Sequence, residues 1–271
     1  METAHFHLHS RMEERHWWFL ASRRIVSRLV RSLLPPGRKK RIVDFGCGTG
    51  GNLAVFSSDY SCVGLDPSAE AIGQARARFP QMDFIQGISP ELSRPACSSA
   101  DLVLLMDVLE HVSDDGRLLS EIVQPMKPGA LLLMTVPADA SLWSPHDVSF
   151  GHFRRYNRSG LEQTWRGLPV RPLLLSYYNA TLYPAVRAAR FASRLRGRSS
   201  GEAGTDFRLP WAPMNFLLER VFSAEAGPLL RLLQGKQRNG FRRGVSLIAV
   251  LKREEAPLCG TLPDKSFEEV A

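Results

Sequence analysis

With 271 residues, 44% hydrophobic and 23% charged, the chain has a globular composition that excludes fibrous and disordered classes. No apolar run approaches the roughly 20 residues of a membrane span, and the formal charge of +8 points to an anionic partner such as nucleic acid, acidic lipid or an acidic substrate. Cys47, Cys62, Cys97 and Cys259 lack C-x-x-C spacing, which argues against a zinc ribbon or disulfide framework, and no apolar signal region opens the chain, so a cytoplasmic protein is expected.

The first predicted element is a helix in "ERHWWFLASRRIVSRLVRSLL", where Phe19, Ile25, Leu29 and Leu33 recur near helical spacing until "PPG" at Pro35 to Gly37 breaks it. "RIVDFG" reads as a buried strand and "SCVGLD" as the next after a short helix. "PSAEAIGQARARF" predicts a helix capped near Asp66 or Ser68, followed by a short strand, "MDFIQG". The apolar run "ADLVLLMD", a helix in "SDDGRLLSEIVQPM" ended by "KPG", and the strand "ALLLMTV" complete the regular part. Continuous Val/Leu runs separated by helices indicate a parallel sheet covered on both faces, an α/β doubly wound core. Beyond Pro137 come an aromatic polar loop, a helix around Leu161 to Trp165, a sixth strand in "VRPLLLSYYN" and a last strand in "GVSLIAVLKR". The expected divisions are an N-terminal helical cap over 1–40, a core with its substrate loop over 41–178, a basic amphipathic helical insertion over 179–243, a last core strand over 244–253 and a disordered tail over 254–271.

The chemistry starts in "RIVDFGCGTGGN", where Gly46, Gly48 and Gly51 fit G-x-G-x-x-G. A glycine turn after a strand lets a ligand approach backbone amides at a helix start, and several nucleotide classes use it. Asp44 separates them. A carboxylate beside a pyrophosphate repels it, whereas an ammonium and a sulfonium welcome one. Asp66, ending the second strand, is placed for ribose hydroxyls, which suits NAD equally well, or else caps the following helix.

"VDFGCGTG", then "VGLDPSAEAI", then "LLMDVLEHV", in that order, resemble class I S-adenosylmethionine-dependent methyltransferases, and in particular the bacterial group that includes ubiquinone-biosynthesis O-methyltransferases. The resemblance covers roughly Arg41 to Pro137 and implies a Rossmann-like seven-stranded sheet whose last strand is antiparallel. It also implies S-adenosylmethionine as cofactor. Asp44 would then act near the cofactor's amino group, and Gly46, Cys47, Gly48 and Gly50 would present backbone to its methionine moiety. Asp66 would hold the ribose and Pro67 would flank the adenine, with Met106 and Asp107 closing the pocket. At Gly87 and Ile88 the chain reads "QGIS", where many relatives read Gly-Asp-Ala, so the adenine's usual carboxylate partner is missing and backbone groups of Gly87 and Ile88 would contact the cofactor in its place.

In-line methyl transfer needs positioning, and a base only where the acceptor is a weakly acidic hydroxyl or amine. Asp107, Glu110 and His111 have i, i+3, i+4 spacing at an expected helix start, either as a structural cluster or as ligands for a divalent ion. "PHDVSFGHFRRY" gathers His146, Asp147, His152, Arg154, Arg155 and Tyr156 in the loop after the fifth strand. There His146 or His152 could take a proton, and Arg154 and Arg155 could pair with an anionic substrate group, unless the histidines only cap turns and the arginines are solvated. Trp17 and Trp18 could form a lid over cofactor and substrate, or pack on the core. "HFHLH" (His5, His7, His9) reads as a frayed terminus before a metal site. "RAARFASRLRGR" and "NFLLERVF" could lie on the inner face of an anionic membrane, or present a solvated face with the apolar side on the sheet. The resulting expectation is O-methylation of a small-molecule acceptor, lipid, quinone-like or glycosylated, with no nucleic-acid partner. A nucleic-acid methyltransferase is disfavoured because the fourth motif reads "MDVL", not the Asn-Pro-Pro-Tyr type. A non-catalytic binding protein is the remaining alternative.

Overall fold

The computed structural model describes residues 10–196 and 208–255, without the side chains of 193–196. His5, His7, His9, Arg198, Cys259 and most of the predicted tail lie outside the described residues.

Seven strands form one sheet: β1 (Arg41–Phe45), β2 (Ser61–Asp66), β3 (Asp83–Gln86), β4 (Leu102–Met106), β5 (Leu131–Pro137), β6 (Val170–Tyr178) and β7 (Ser246–Arg253). Their order is β3-β2-β1-β4-β5-β7-β6. β1 to β5 run parallel, and β7 inserts antiparallel to both β5 and β6. The chain order reverses between β1 and β4, the place where open α/β sheets open a ligand crevice.

Alternate strand residues feed two cores. Ile42, Leu102, Leu104, Leu133, Ile248 and Val250 face one layer of helices, while Val43, Val103, Leu105, Leu132, Ala249 and Leu251 face the other. Burial on both faces is why these strands read as unbroken apolar runs. The first layer contains α1 (Trp17–Leu33), the short α2 (Gly51–Ala54) and α3 (Ala69–Arg78). The second contains α4 (Pro90–Ser99), α5 (Asp115–Val123) and α7 (Arg158–Thr164), with the short α6 (Pro145–Ser149) ahead of α7. α4 has no counterpart in the sequence reading, because Pro90 at its start and Pro95 inside it look like breakers. Ala96 and Cys97 nonetheless bury it against the sheet.

Between β6 and β7 lie α8 (Tyr183–Arg196), α9 (Ala212–Ser223) and α10 (Ala226–Leu233). This predicted insertion contributes to the core as well as to the surface: Phe222, Ala226 and Leu229 are fully buried beside α1. Asn215 Oδ1 accepts from the Trp17 amide at 3.0 Å, and Arg24 pairs with Glu219 at 2.8 Å. Among the described residues no helix is long and apolar enough to cross a membrane.

Candidate active site

The C-terminal ends of β1, β2, β4 and β5 border a cavity of about 960 Å³, roofed by α1 and α8. Its floor is the glycine turn. Gly46 has φ +78°, and a Cβ there would stand 2.5 Å from Val108 Cγ2, so the turn requires both the left-handed backbone and the absent side chain. Gly48 and Gly50 also have positive φ. Gly46, Cys47 and Gly48 line the cavity, whereas Gly50 packs behind the turn toward Phe79 and Phe84.

Asp44 lies directly beneath, 1% exposed, with both carboxylate oxygens buried and without a partner among the described residues. Burial foremost, then the charges of Asp66 and Glu13, push its pKa up to about 7. A buried carboxylate with unmatched oxygens behind an amide-lined turn is suited to a cationic ligand group. Asp66 accepts from the Gly48 amide and the Ser68 amide, both at 2.9 Å, which holds its carboxylate at the cavity wall with lone pairs to spare. Pro67, Ile88, Met106 and Asp107 also line the cavity. Gly87 shapes the bend after β3, with φ +121° and its amide on the Asp66 carbonyl.

The segment before α1 straps across the turn. Glu13, 3% exposed, accepts from Thr49 Oγ1 at 2.9 Å and pairs with Arg78, whose guanidinium also reaches the Thr49 carbonyl at 3.0 Å. The sequence reading missed Glu13. An acid far upstream of the glycines carries no spacing signal, and its role appears only when α1 folds over the turn. Trp17 and Trp18 line the cavity beside it, and Trp17 also packs edge-on to Phe222.

The opposite wall corrects one expectation. Asp107, Glu110 and His111 do not share an α-helical face. Asp107 has φ +54° and donates its amide to the Thr135 carbonyl, Leu109–His111 form a single 3-10 turn, and the next helix starts only at Asp115. Pairing to β5 turns the chain before a helix can begin. Burial, outweighing the nearby His152, lifts Asp107 to about 6. Burial and then Asp107 raise Glu110 well above the usual carboxylate range, and Glu110 Oε2 has no partner among the described residues. The ligating atoms of Glu110, His111 and His152 lie within 4.8 Å of one another, so geometry substitutes His152 for Asp107 in the trio with donor chemistry for a divalent ion.

His152 belongs to a buried network built by α6 and the loop after it. Its Nδ1 lies 2.9 Å from Asp147 Oδ1. Asp147 is fully buried and also accepts from Arg155 Nε at 2.8 Å and the Ser144 amide at 2.8 Å, with Arg190 of α8 at 3.4 Å. These partners overcome burial and hold Asp147 well below the usual carboxylate range. Burial lowers His111 to about 4, and burial followed by the Arg190 charge lowers His146 to about 3, so both stay neutral at pH 7. His111, His146, His152 and Arg155 line the cavity, with Asp147 behind them. Arg154 and Tyr156 do not line it; both bind Asp115 at 2.7 Å. Arg190 was read from the sequence only as part of a basic face.

A family model described as a methyltransferase domain matches residues 12–183. Among curated relatives, the Deinococcus radiodurans trans-aconitate 2-methyltransferase is 33% identical over 125 residues, 45% of this chain and 47% of that protein. The Rhizobium rhizogenes ubiquinone biosynthesis O-methyltransferase is 36% identical over 98 residues, 34% of this chain and 39% of that protein. The chain thus spans about half the length, or less, of these relatives. In fold it resembles the Haloferax volcanii chain solved with the Trm112 methyltransferase activator, with TM-score 0.57, 19% identity and coverage of 93% of this chain and 96% of that one.

Proposed function

Since the chain belongs to the methyltransferase-domain family, for which S-adenosylmethionine is the cofactor, we propose that it transfers a methyl group to an oxygen of a small-molecule acceptor. The observation that carries this reading is Asp44, whose buried carboxylate lacks any partner among the described residues. When bound, S-adenosylmethionine supplies an electrophilic methyl on a sulfonium. Asp44 would balance the ammonium of its methionine portion, directly or through water, and Asp66 would accept from the ribose hydroxyls. The backbone of Gly46, Cys47 and Gly48 allows the close approach, while Trp17, Trp18 and Glu13 roof the site and exclude water.

His152 is the base. Asp147 accepts only, so the 2.9 Å contact fixes the proton on Nδ1 and leaves Nε2 free to take the acceptor's hydroxyl proton. Asp147 also stabilises the imidazolium that results. Burial holds the pKa of His111 and of His146 below the ordinary imidazole value, which disfavours either as the base.

Calorimetry with S-adenosylhomocysteine tests the cofactor half. Absence of binding to the wild-type chain defeats it. For the acceptor half, His152→Ala should cut kcat by about 10²- to 10⁴-fold with cofactor affinity retained. An undiminished kcat would instead indicate an acceptor, such as a carboxylate, that needs no base.

A further inference from the structure

The chain's entire positive excess resides in one stretch. Residues 180–243 hold twelve arginines and lysines against four carboxylates, which is the whole formal charge of +8, and the remainder is balanced. The same stretch holds most of the large apolar side chains in water. Among the described residues, Phe191 on α8 is 63% exposed, Trp211 69%, Phe216 62% and Leu217 55%. α9 spends its inward stripe on α1, through Asn215, Glu219 and Phe222. The opposite stripe, with Pro213, Phe216, Leu217 and Arg220, faces outward.

The α8 end of this stretch borders the cavity. Val186, Ala189 and Arg190 of α8 and Arg208 ahead of α9 line it, and Phe191 and Leu209 are the next residues along the chain. A nucleic-acid duplex would pair its phosphates with the arginines and leave Phe191, Trp211, Phe216 and Leu217 wet. A second copy would set two basic faces against each other. An anionic amphiphile satisfies both halves of the face.

We propose that this face docks on an anionic bilayer, with Phe191, Trp211, Phe216 and Leu217 among the headgroups and Arg187, Arg208 and Arg220 beside their phosphates. The cavity mouth then opens to the lipid surface, so the acceptor is a membrane-resident amphiphile. That last step rests on the methyltransferase reading; the docking does not.

The test is co-sedimentation of the full chain with phosphatidylcholine vesicles, with and without phosphatidylglycerol. Binding is expected only to the anionic vesicles and weakens as salt is raised. A Trp211→Glu/Phe216→Glu variant should lower the partition coefficient by about tenfold or more, since it places two charges in the apolar interface. Its melting temperature and S-adenosylhomocysteine affinity should match the wild type, showing that the fold and the cofactor site survive. Equal binding to neutral vesicles, binding to neither, or a dimer that the double variant dissociates would each overturn the docking. Anionic-vesicle binding by a chain that fails to bind S-adenosylhomocysteine would uphold the docking and remove the methyltransferase reading. Salt-sensitive RNA binding in place of vesicle binding would overturn the proposal in favour of a nucleic-acid surface.

Discussion

Asp44→Asn exchanges a buried charge for a neutral amide of the same shape, and its two consequences have opposite signs. Asp44 is an acid whose folded pKa of about 7 lies above its ordinary 3.8. Between those values the folded state holds the proton more tightly than the unfolded chain, so its contribution to stability falls as pH rises from about 4 to about 7. At 1.36 kcal/mol per pKa unit, the shift from 3.8 to about 7 amounts to about 4 kcal/mol, fully expressed only above pH 7. The asparagine's unmatched amide takes back about 1–3 kcal/mol. The ligand-free variant should therefore be more stable than wild type at pH 8 by about 1–3 kcal/mol, with a melting temperature higher by about 2–4 °C per kcal/mol. Near pH 4 the advantage disappears. On the role proposed for Asp44, the same change also removes the negative charge facing the cofactor's ammonium, a charge-assisted contact of about 1.5–3 kcal/mol, and should weaken S-adenosylhomocysteine binding by roughly 10- to 100-fold. Differential scanning fluorimetry across pH 4 to 8 and calorimetry at pH 8 measure both effects. A variant that is less stable at pH 8, or binds as tightly as wild type, refutes the assignment of Asp44 as a carboxylate reserved for a cation.

Gly46→Ala places a methyl group 2.5 Å from Val108 Cγ2 on a backbone at φ +78°, so cofactor affinity and melting temperature should fall together in calorimetry and thermal scans. Asp147→Asn leaves Arg155, whose side chain is only 3% exposed, without its carboxylate; a loss of about 3–5 kcal/mol is expected in urea unfolding. Because the Asp147 pKa is depressed, that contribution is present at pH 5 to 8 and is lost only as pH falls below the ordinary carboxylate range. His111, lowered to about 4, and His146, lowered to about 3, oppose the trend of Asp44: the unfolded chain protonates first, so their contribution falls as pH drops below 6.5. His111→Asn should flatten the acid limb of the stability profile measured in urea, and an unchanged limb would show that His111 is not held neutral.

Much of the sheet was legible because strands buried on both faces must be apolar without interruption, and because Gly46 and Gly48 occupy backbone that other residues adopt at a cost. Asp44 and Asp66 were legible for a related reason: acids at the ends of apolar strands need a partner. The i, i+3, i+4 spacing of Asp107, Glu110 and His111 misled, since Asp107 is held against β5 and only Leu109–His111 form a 3-10 turn, which breaks the α-helical face that the spacing assumes. Prolines concealed α4, and the burial of Ala96 and Cys97 outweighed them.

By itself, then, the amino-acid order determined the strand–helix rhythm, the glycine turn and its acids, because those depend on local backbone preference and on polarity along short stretches. Only the tertiary structure decided that Glu13 straps the turn, that His152 rather than Asp107 joins Glu110 and His111, and that Arg190 reaches the Asp147 network. Those contacts join residues 36 to 65 positions apart at the strap and 43 positions apart at Arg190. No periodicity encodes such separations. They arise when helices from distant parts of the chain close over one end of the sheet, where buried carboxylates take the cations and donors that the packing brings to them.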